Sequence, residues 1–516
     1  MLRRTLFTAG RTGVRFATRS LQSNLPKLSG TAPRSFLTGS NLFKAGLAAG
    51  TVFLGKSVME KELIEEKALL DEAQKLDAKD EFQARRLQFL FPKDAAGNPL
   101  VYLNGNSLGL PPYHAAESVA AEMKDWAEKG VRGHFDKGKP WLTYAELVSP
   151  GLARLVGAKP TEVVAMGSLT SNLNAALVSF YRPTKERYKV IRLGEAFGSD
   201  RYAVDSQIQQ RLTTIKEFSP DSKAFDAKDA VVEIKPKPGQ HTLTTQQIID
   251  MINQHGDKTS VVLIEGVHYL SGQCFDLKAI AEAAHKKGCK MGVDLAHSVG
   301  NVFPTLHEDG IDFAVWCNYK YVNAGPGAIG GLFVHEKHHQ DPTMPILAGW
   351  WGHNKSVRFN MASDYAAIPT AEKWQQSNPP IWQLASLQAS LDIFENVDLK
   401  KLREKSIRLT NHMERLIRNM LPDDVEIITP SNPDERGSQL SLKVKAGAHA
   451  SVEEWMHKKG IICDSRGEII RVAPAALYNT HEDVTKFVIE LRNFCLAHRL
   501  GEEHDHEREG EIFRMR

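Results

Sequence analysis

From about residue 160 to residue 345 the chain alternates short apolar runs with longer amphipathic ones, and this alternation limits its folding options more than any other feature. The runs VVAMG, YKVIRL, SVVLIEG, CKMGVD, DFAVWC and GGLFVH have strand length and few polar interruptions, while SNLNAALVSFY, TTQQIIDMINQH and DLKAIAEAAHKKG carry apolar residues at helical spacing. Strands that are apolar on both faces need cover on both, and helices threaded between them provide it. The pattern predicts an α/β fold with a mostly parallel sheet under helices on each side. Ligands of such sheets bind beyond the carboxyl ends of the strands, so functional residues are expected just after strand ends.

The segment VWCNYKYVNAGPG, residues 315–327, puts Lys320 between an apolar strand and a glycine-rich turn. A lysine amine attacks an aldehyde only when uncharged, and its ordinary pKa of ~10.4 keeps it charged at neutral pH. Burial beside other groups lowers that value. Upstream, KMGVDLAH ends a short strand on Asp294, with His297 three residues on. Such a carboxylate pairs with a protonated pyridine nitrogen. Leu169 and Thr170, in MGSLTSN, sit between a strand and an apolar helix, where backbone N–H groups and a hydroxyl can meet a phosphate dianion. A lysine, a carboxylate and a phosphate site together suggest pyridoxal 5′-phosphate. Taken singly, each has a plainer reading: a lysine whose stem covers an apolar edge, an aspartate capping a helix, a threonine doing the same.

At 516 residues the chain can bury large cores, and its length suggests about three domains. Apolar residues make up 42% and charged residues 25%, the balance of a folded, soluble body, and a formal charge of +3 gives no case for nucleic acid as a partner. Cys274, Cys289, Cys317, Cys463 and Cys495 show no CxxC spacing and are odd in number, so reduced, mostly buried thiols are expected. The histidines near the C-terminus are too irregular to predict a metal. Residues 1–59 hold no Asp or Glu, yet Arg3, Arg4, Arg11, Arg15, Arg19 and Arg34 recur among Ser, Thr and small apolar residues, the composition of a mitochondrial transit peptide. A start at Met59, giving a cytosolic form, is the alternative. LFKAGLAAGTVFLG, residues 42–55, contains Lys44 and is shorter than the ~20 residues a bilayer span requires, so no membrane anchor is expected.

KELIEEKALLDEAQKLDAKDEF reads as an amphipathic helix, Leu100 to Leu103 as a short strand before a Gly- and Asn-rich turn, and AESVAAEMKDWAEKG as a helix ended by Gly130. Beyond residue 380, two long helices at about 383–397 and 402–420 precede the short strands EIIT and GSQLSLKV, a helix from Val452 and IICDSRGEIIRVAP, which reads as a smaller α+β domain. The expected division is 1–59 as a targeting-like extension, 60–112 as a segment packing with the small domain, 113–382 as the large cofactor domain, 383–500 as the small domain, and 501–516 as a charged, aperiodic tail expected to be disordered.

The segments LNGNSLGLPP, FGSD, VDLAHSVGNV, CNYKYVNAGPG, GWWGH, SNPP and CDSRGEIIRVAP closely resemble the kynureninase family of fold-type I pyridoxal-phosphate enzymes, over about residues 65–500. The resemblance implies an aminotransferase class V-like fold with a mostly parallel seven-stranded sheet, a homodimer, and a cytoplasmic reaction. That reaction hydrolyses L-kynurenine, or its 3-hydroxy form, to anthranilate or 3-hydroxyanthranilate and L-alanine, in tryptophan catabolism and NAD biosynthesis. Lys320 would hold the cofactor covalently and move the substrate's α-proton. Asp294 would keep the pyridine nitrogen protonated, Phe197 would stack on the ring, and Asp200 and His297 would be further contacts. Leu169, Thr170, Tyr319 and Trp350 would supply phosphate donors, and Tyr319 a proton during bond cleavage. Arg471, with Arg466 as a competing candidate, would clamp the α-carboxylate. Asn378 and Ser107 would bond polar groups of the substrate, Asn378 reaching the cofactor as well, while His134 and Trp351 would line the arylketone pocket. Trp350 and Asn378 would come from the neighbouring subunit. The chain departs from its relatives at Glu265, where a small hydroxyl residue is expected; a carboxylate repels a phosphate, so Glu265 is expected to point away or to weaken cofactor binding. Two rival readings are a cysteine desulfurase, which would need a cysteine on a mobile loop, and a non-catalytic tethered scaffold, which an absent lysine or acid would support.

Overall fold

In the computed structural model the described residues are 62–218, 227–361, 364–445 and 449–514, so the targeting-like stretch 1–59 lies outside them. Residues Glu65–Arg516 form one compact unit. Along the chain come α1 (62–77), β1 (Val101–Tyr102), α2 (Ala115–Lys129), α3 (Tyr144–Val156), β2 (Val163–Ala165), α4 (Leu169–Phe180), β3 (Lys189–Leu193), α5 (Gly198–Phe218), β4 (Val231–Ile234), α6 (Thr245–His255), β5 (Thr259–Glu265), α7 (Leu277–Lys286), β6 (Lys290–Asp294), β7 (Phe313–Cys317) and β8 (Gly330–Val334). Strands β2 to β8 make a seven-stranded sheet in the order β2-β8-β7-β6-β5-β3-β4. The run from β7 to β4 is parallel, and β8 is antiparallel to both its neighbours.

The six predicted strands and three predicted helices of this region all form. All seven residues of β5 are buried, as strands covered on both faces require. The helices start where side chains satisfy their first N–H groups: Ser168 caps α4 and Thr244 caps α6, each reciprocated from the third helical residue. Gly130 ends α2 at a positive φ of 56°, a conformation that favours glycine. Three elements escaped the sequence reading. Strand β4 alternates buried and half-buried residues at the sheet edge, α3 contains Pro150, and α5 is crowded with polar residues.

The remaining elements are α8 (Ile381–Glu395), α9 (Leu399–Met420), β9 (Val425–Ile427), β10 (Leu440–Val444), α10 (His449–Lys458), β11 (Ile461–Ile462), β12 (Asp464–Arg466), β13 (Ile469–Val472) and α11 (His481–Arg514). Strands β12-β13-β10-β9 form an antiparallel sheet, and its buried Leu440, Leu442 and Val472 share a core with Leu409, Met413 and Ile417 of α9 and Val484, Phe487 and Leu491 of α11. Helix α11 runs to Arg514, through the stretch for which the sequence predicts no regular element; a helix already nucleated on a packed face propagates through Glu, His and Arg at small cost. No helix among the described residues is long and apolar enough to cross a membrane.

The segment before α2 is fastened to the elements around this antiparallel sheet. Strand β1 pairs in parallel with β11, Asp77 accepts hydrogen bonds from His481 N (2.7 Å) and Glu482 N (2.9 Å), and the buried Lys405 and Asp80 form an ion pair at 2.7 Å. The turn at 104–110 then presses on the loop after β7. Gly109 N donates to Tyr319 O at 2.8 Å, and a Cβ at Gly109 would lie 2.2 Å from Lys320 O and from Asn323 Oδ1, so no side chain fits there.

Candidate active site

Four adjacent strands, β7, β6, β5 and β3, end at one edge of the sheet, and each delivers a residue to a single cavity of about 140 Å³. Lys320 follows β7, Asp294 closes β6, Glu265 closes β5 and Phe197 follows β3; Leu169 and Thr170, in the first turn of α4, form another wall. Seven residues expected from the sequence therefore meet here: Leu169, Thr170, Phe197, Asp294, His297, Tyr319 and Lys320. Asp200 stands behind them, hydrogen-bonded to Asp294.

Lys320 Nζ lies 3.0 Å from His297 Nε2 and about 6 Å from the ring centres of Phe197 (5.9 Å) and Tyr319 (6.0 Å). Burial, and then the positive charges of Lys320 and Arg471, push the His297 imidazole well below its ordinary pKa, so the ring is neutral. Its Nε2 accepts from the lysine, and its buried Nδ1 has no partner. Asp294 does not cap a helix: its Oδ1 accepts from Ala296 N at 2.6 Å, in a turn. Burial raises both Asp294 and Asp200, and the charge of Asp294 raises Asp200 further, as two carboxyls in contact require. Tyr319 is half-buried; burial and the Cys317 thiol beside it push its phenol upward, keeping it protonated.

Glu265 corrects an expectation. It does not point away but lines the cavity, with Oε1 accepting from Phe197 N at 2.7 Å and Oε2 buried without a partner. Its place at the end of β5, beside Asp294 at the end of β6, would have announced this; the residue type concealed it. Ser199, Val267, Tyr269 and Ala296 are further wall residues that the sequence reading missed, all within five residues of a recognised position or strand end.

These walls fit pyridoxal 5′-phosphate. An amine and a deeply buried carboxylate share one space with two wall residues that carry a buried, unpartnered polar atom, His297 (Nδ1) and Glu265 (Oε2), and such atoms mark a place where a polar ligand belongs. At the start of α4, where the first N–H groups of a helix have no intrahelical acceptor, the Thr170 and Ser199 hydroxyls sit 2.5 Å apart, a setting suited to a phosphate.

Arg471 is buried on β13. Its Nε and Nη2 donate to Asp464 Oδ1 (2.8 Å) and Oδ2 (2.5 Å), and Nη1 donates to the carbonyl of Tyr269, a wall residue (3.0 Å). Of its five N–H groups, one on each terminal nitrogen is left over. Arg466 is exposed and only brushes Asp464. Ser107, His134, Trp350, Trp351 and Asn378 are not walls of this cavity in the single chain. Ser107 is in the 104–110 turn, His134 leans edge-on against Trp141, Trp351 lies buried under Arg358, and Trp350 and Asn378 are exposed. All five cysteines are free, and burial raises every thiol, Cys274, Cys289 and Cys495 to about 11 and Cys463 to about 12. None is the accessible thiolate that a desulfurase needs.

The solved structures that share this fold define its class. A cysteine desulfurase from Thermococcus onnurineus superposes with a TM-score of 0.62 at 18% identity, over 77% of this chain and 94% of its own. One from Escherichia coli gives 0.63 at 18% identity, over 80% and 98%. The chain has the fold of the fold-type I pyridoxal-phosphate-dependent enzymes.

Sequence narrows the class to one family. Residues 402–491 match the family model for the kynureninase C-terminal domain. The kynureninase of Myxococcus xanthus is 49% identical over 420 residues, 81% of this chain and 96% of that protein, and the kynureninase of Stenotrophomonas maltophilia is 46% identical over 81% and 96%. The chain belongs to the kynureninase family.

Proposed function

We propose that the chain is a pyridoxal 5′-phosphate-dependent hydrolase that cleaves L-kynurenine, and its 3-hydroxy form, to anthranilate or 3-hydroxyanthranilate and L-alanine, a step of tryptophan catabolism that leads toward NAD. The observation that carries this reading is Lys320 Nζ, 3.0 Å from a neutral His297 and in one cavity with Asp294, in a chain 49% identical to a kynureninase across nearly all of that protein. When bound, the cofactor supplies an electron sink for charge developing at the substrate's α-carbon.

The chain's own residues do the rest. Lys320 Nζ would hold the cofactor and later carry the α-proton, with the neutral imidazole of His297 accepting from it. Asp294 would keep a proton on the pyridine nitrogen. Thr170, Ser199 and the first N–H groups of α4 would hold the phosphate, and Phe197 would pack on the ring. Arg471, gripped by Asp464, offers its remaining N–H pair to the substrate's α-carboxylate. Tyr319 Oη stays protonated and donates when the Cβ–Cγ bond breaks.

We also assign a homodimer. Trp126 packs against Trp382, and Phe135 and Trp350 both against Phe359, leaving two exposed aromatic clusters of the kind that mark an interface. Trp350 and Asn378, outside the cavity of their own chain, would then serve the partner's, and full activity at dilutions that yield monomer would sink this assignment. The proposed compartment is the cytoplasm, supported by the likeness of the catalytic body to bacterial enzymes. A reporter fused to residues 1–59 that reaches mitochondria would overturn it.

An absorbance scan between roughly 300 and 500 nm, before and after L-kynurenine and with Lys320→Ala alongside, tests the function. A cofactor band that Lys320→Ala alters, with anthranilate fluorescence from wild type alone, is the expected result. A band without anthranilate would move the substrate to another amino acid.

A further inference from the structure

Glu265 is a wall residue to which the reaction as proposed gives no task. We propose that Glu265 holds a proton at neutral pH and presents it, through Oε2, to a polar oxygen of the bound cofactor, which makes it a cofactor-positioning donor. This rests on the cofactor reading above.

The geometry carries the argument. Glu265 and Asp294 are register partners at the ends of parallel β5 and β6 and line the cavity, and Asp200 is hydrogen-bonded to Asp294 from behind, so three buried carboxyls cluster at this place. Among the described residues that line the cavity, Lys320 is the cation facing them. His297 is neutral. His268 Nε2, 3.5 Å from Oε2, gives its proton to Glu195 O, while its Nδ1 accepts from Ser271 N; that ring is neutral too. The Tyr269 phenol is raised by burial and stays protonated, and Arg471 is matched by Asp464.

Three ionised carboxylates against one ammonium would leave two uncompensated negative charges in a low-dielectric space, and protonation relieves this. Asp294 keeps its charge for the pyridine nitrogen, and Asp200 shares a hydrogen bond with it. For Glu265, Oε1 already accepts the Phe197 N–H, so the proton belongs on Oε2, which has no acceptor within the protein. An O–H buried without an acceptor is a donor waiting for a ligand. Burial, and then Asp294, raise this carboxyl to about 8, in the same sense.

The test is equilibrium dialysis of pyridoxal 5′-phosphate, from pH 6.5 to 9.5, in a Lys320→Ala background that removes the lysine's own titration. Glu265→Gln keeps a neutral donor and cannot ionise. The two proteins should bind alike below pH 7, and the protein retaining Glu265 should lose about tenfold or more relative to the glutamine variant by pH 9.5. Glu265→Ala should bind roughly tenfold more weakly already at pH 6.5, with glutamine restoring affinity. An affinity ratio between the protein retaining Glu265 and the glutamine variant that does not move with pH overturns the proposal. Absence of binding in every variant at every pH overturns the cofactor reading itself, and this inference with it.

Discussion

Asp464 and Arg471 are register partners on adjacent antiparallel strands, and the carboxylate meets the guanidinium side-on with two parallel hydrogen bonds, at 2.8 and 2.5 Å. The pair fixes the guanidinium plane before any substrate arrives. Asp464→Asn keeps the size but weakens the grip, so KM for kynurenine should rise about tenfold while kcat changes less. Steady-state kinetics decide; an unchanged KM would remove Arg471 from the substrate site.

The buried Lys405–Asp80 pair joins α9 to the segment after α1. Removing one partner strands a charge in a sealed site, so Lys405→Met should cost about 3–5 kcal/mol in denaturant unfolding. Lys405→Met with Asp80→Leu should recover much of that loss, because the double variant leaves no charge behind. Additive losses would mean that packing, and not charge, dominates at this contact.

Acid should loosen the sheet through Asp312. Burial alone would raise this carboxyl, but hydrogen bonds from His285 (2.8 Å), His338 (2.6 Å) and Met291 N (2.8 Å), with Lys337 at 3.2 Å, outweigh it and hold the group well below the ordinary carboxylate range. A depressed folded-state value means that its contribution is present above the unfolded pKa of ~3.9 and is lost as pH falls below it. Thermal scans from pH 6 to 3 should show Tm dropping most steeply below pH 5, and Asp312→Asn should lower Tm at pH 7 while flattening that acid slope. An unaltered slope would shift the effect to other carboxyls.

Gly109 leaves no room for a methyl group against the Lys320 carbonyl. Gly109→Ala should therefore displace the lysine loop, lowering kcat about tenfold or more with a smaller change in Tm. Wild-type kinetics from that variant would show that the turn at 104–110 yields instead.

Much of this site was legible because the chemistry of a parallel sheet sits at strand ends, and strands such as SVVLIEG and CKMGVD are unmistakable when buried on both faces. Lys320 and Asp294 could be found on that basis, while Phe197 was named through resemblance. Glu265 was discounted on charge, since a sequence does not reveal that neighbouring carboxyls will keep one another protonated. Trp350 and Asn378 were named through resemblance, and nothing in a single chain brings them to the cavity. Strand β4 was missed because half of its residues face partly outward.

The bond from His481 N to Asp77 links residues 404 positions apart, with all the strands of the large sheet lying between them in sequence. During synthesis at ~5–20 residues per second, the segment carrying Asp77 waits on the order of 20–80 s for its partner. Through that interval α1 and the strand at 101–102 have no finished surface to settle on. For a growing chain, the clasp between the end of α1 and the start of α11 is therefore among the last contacts that can close.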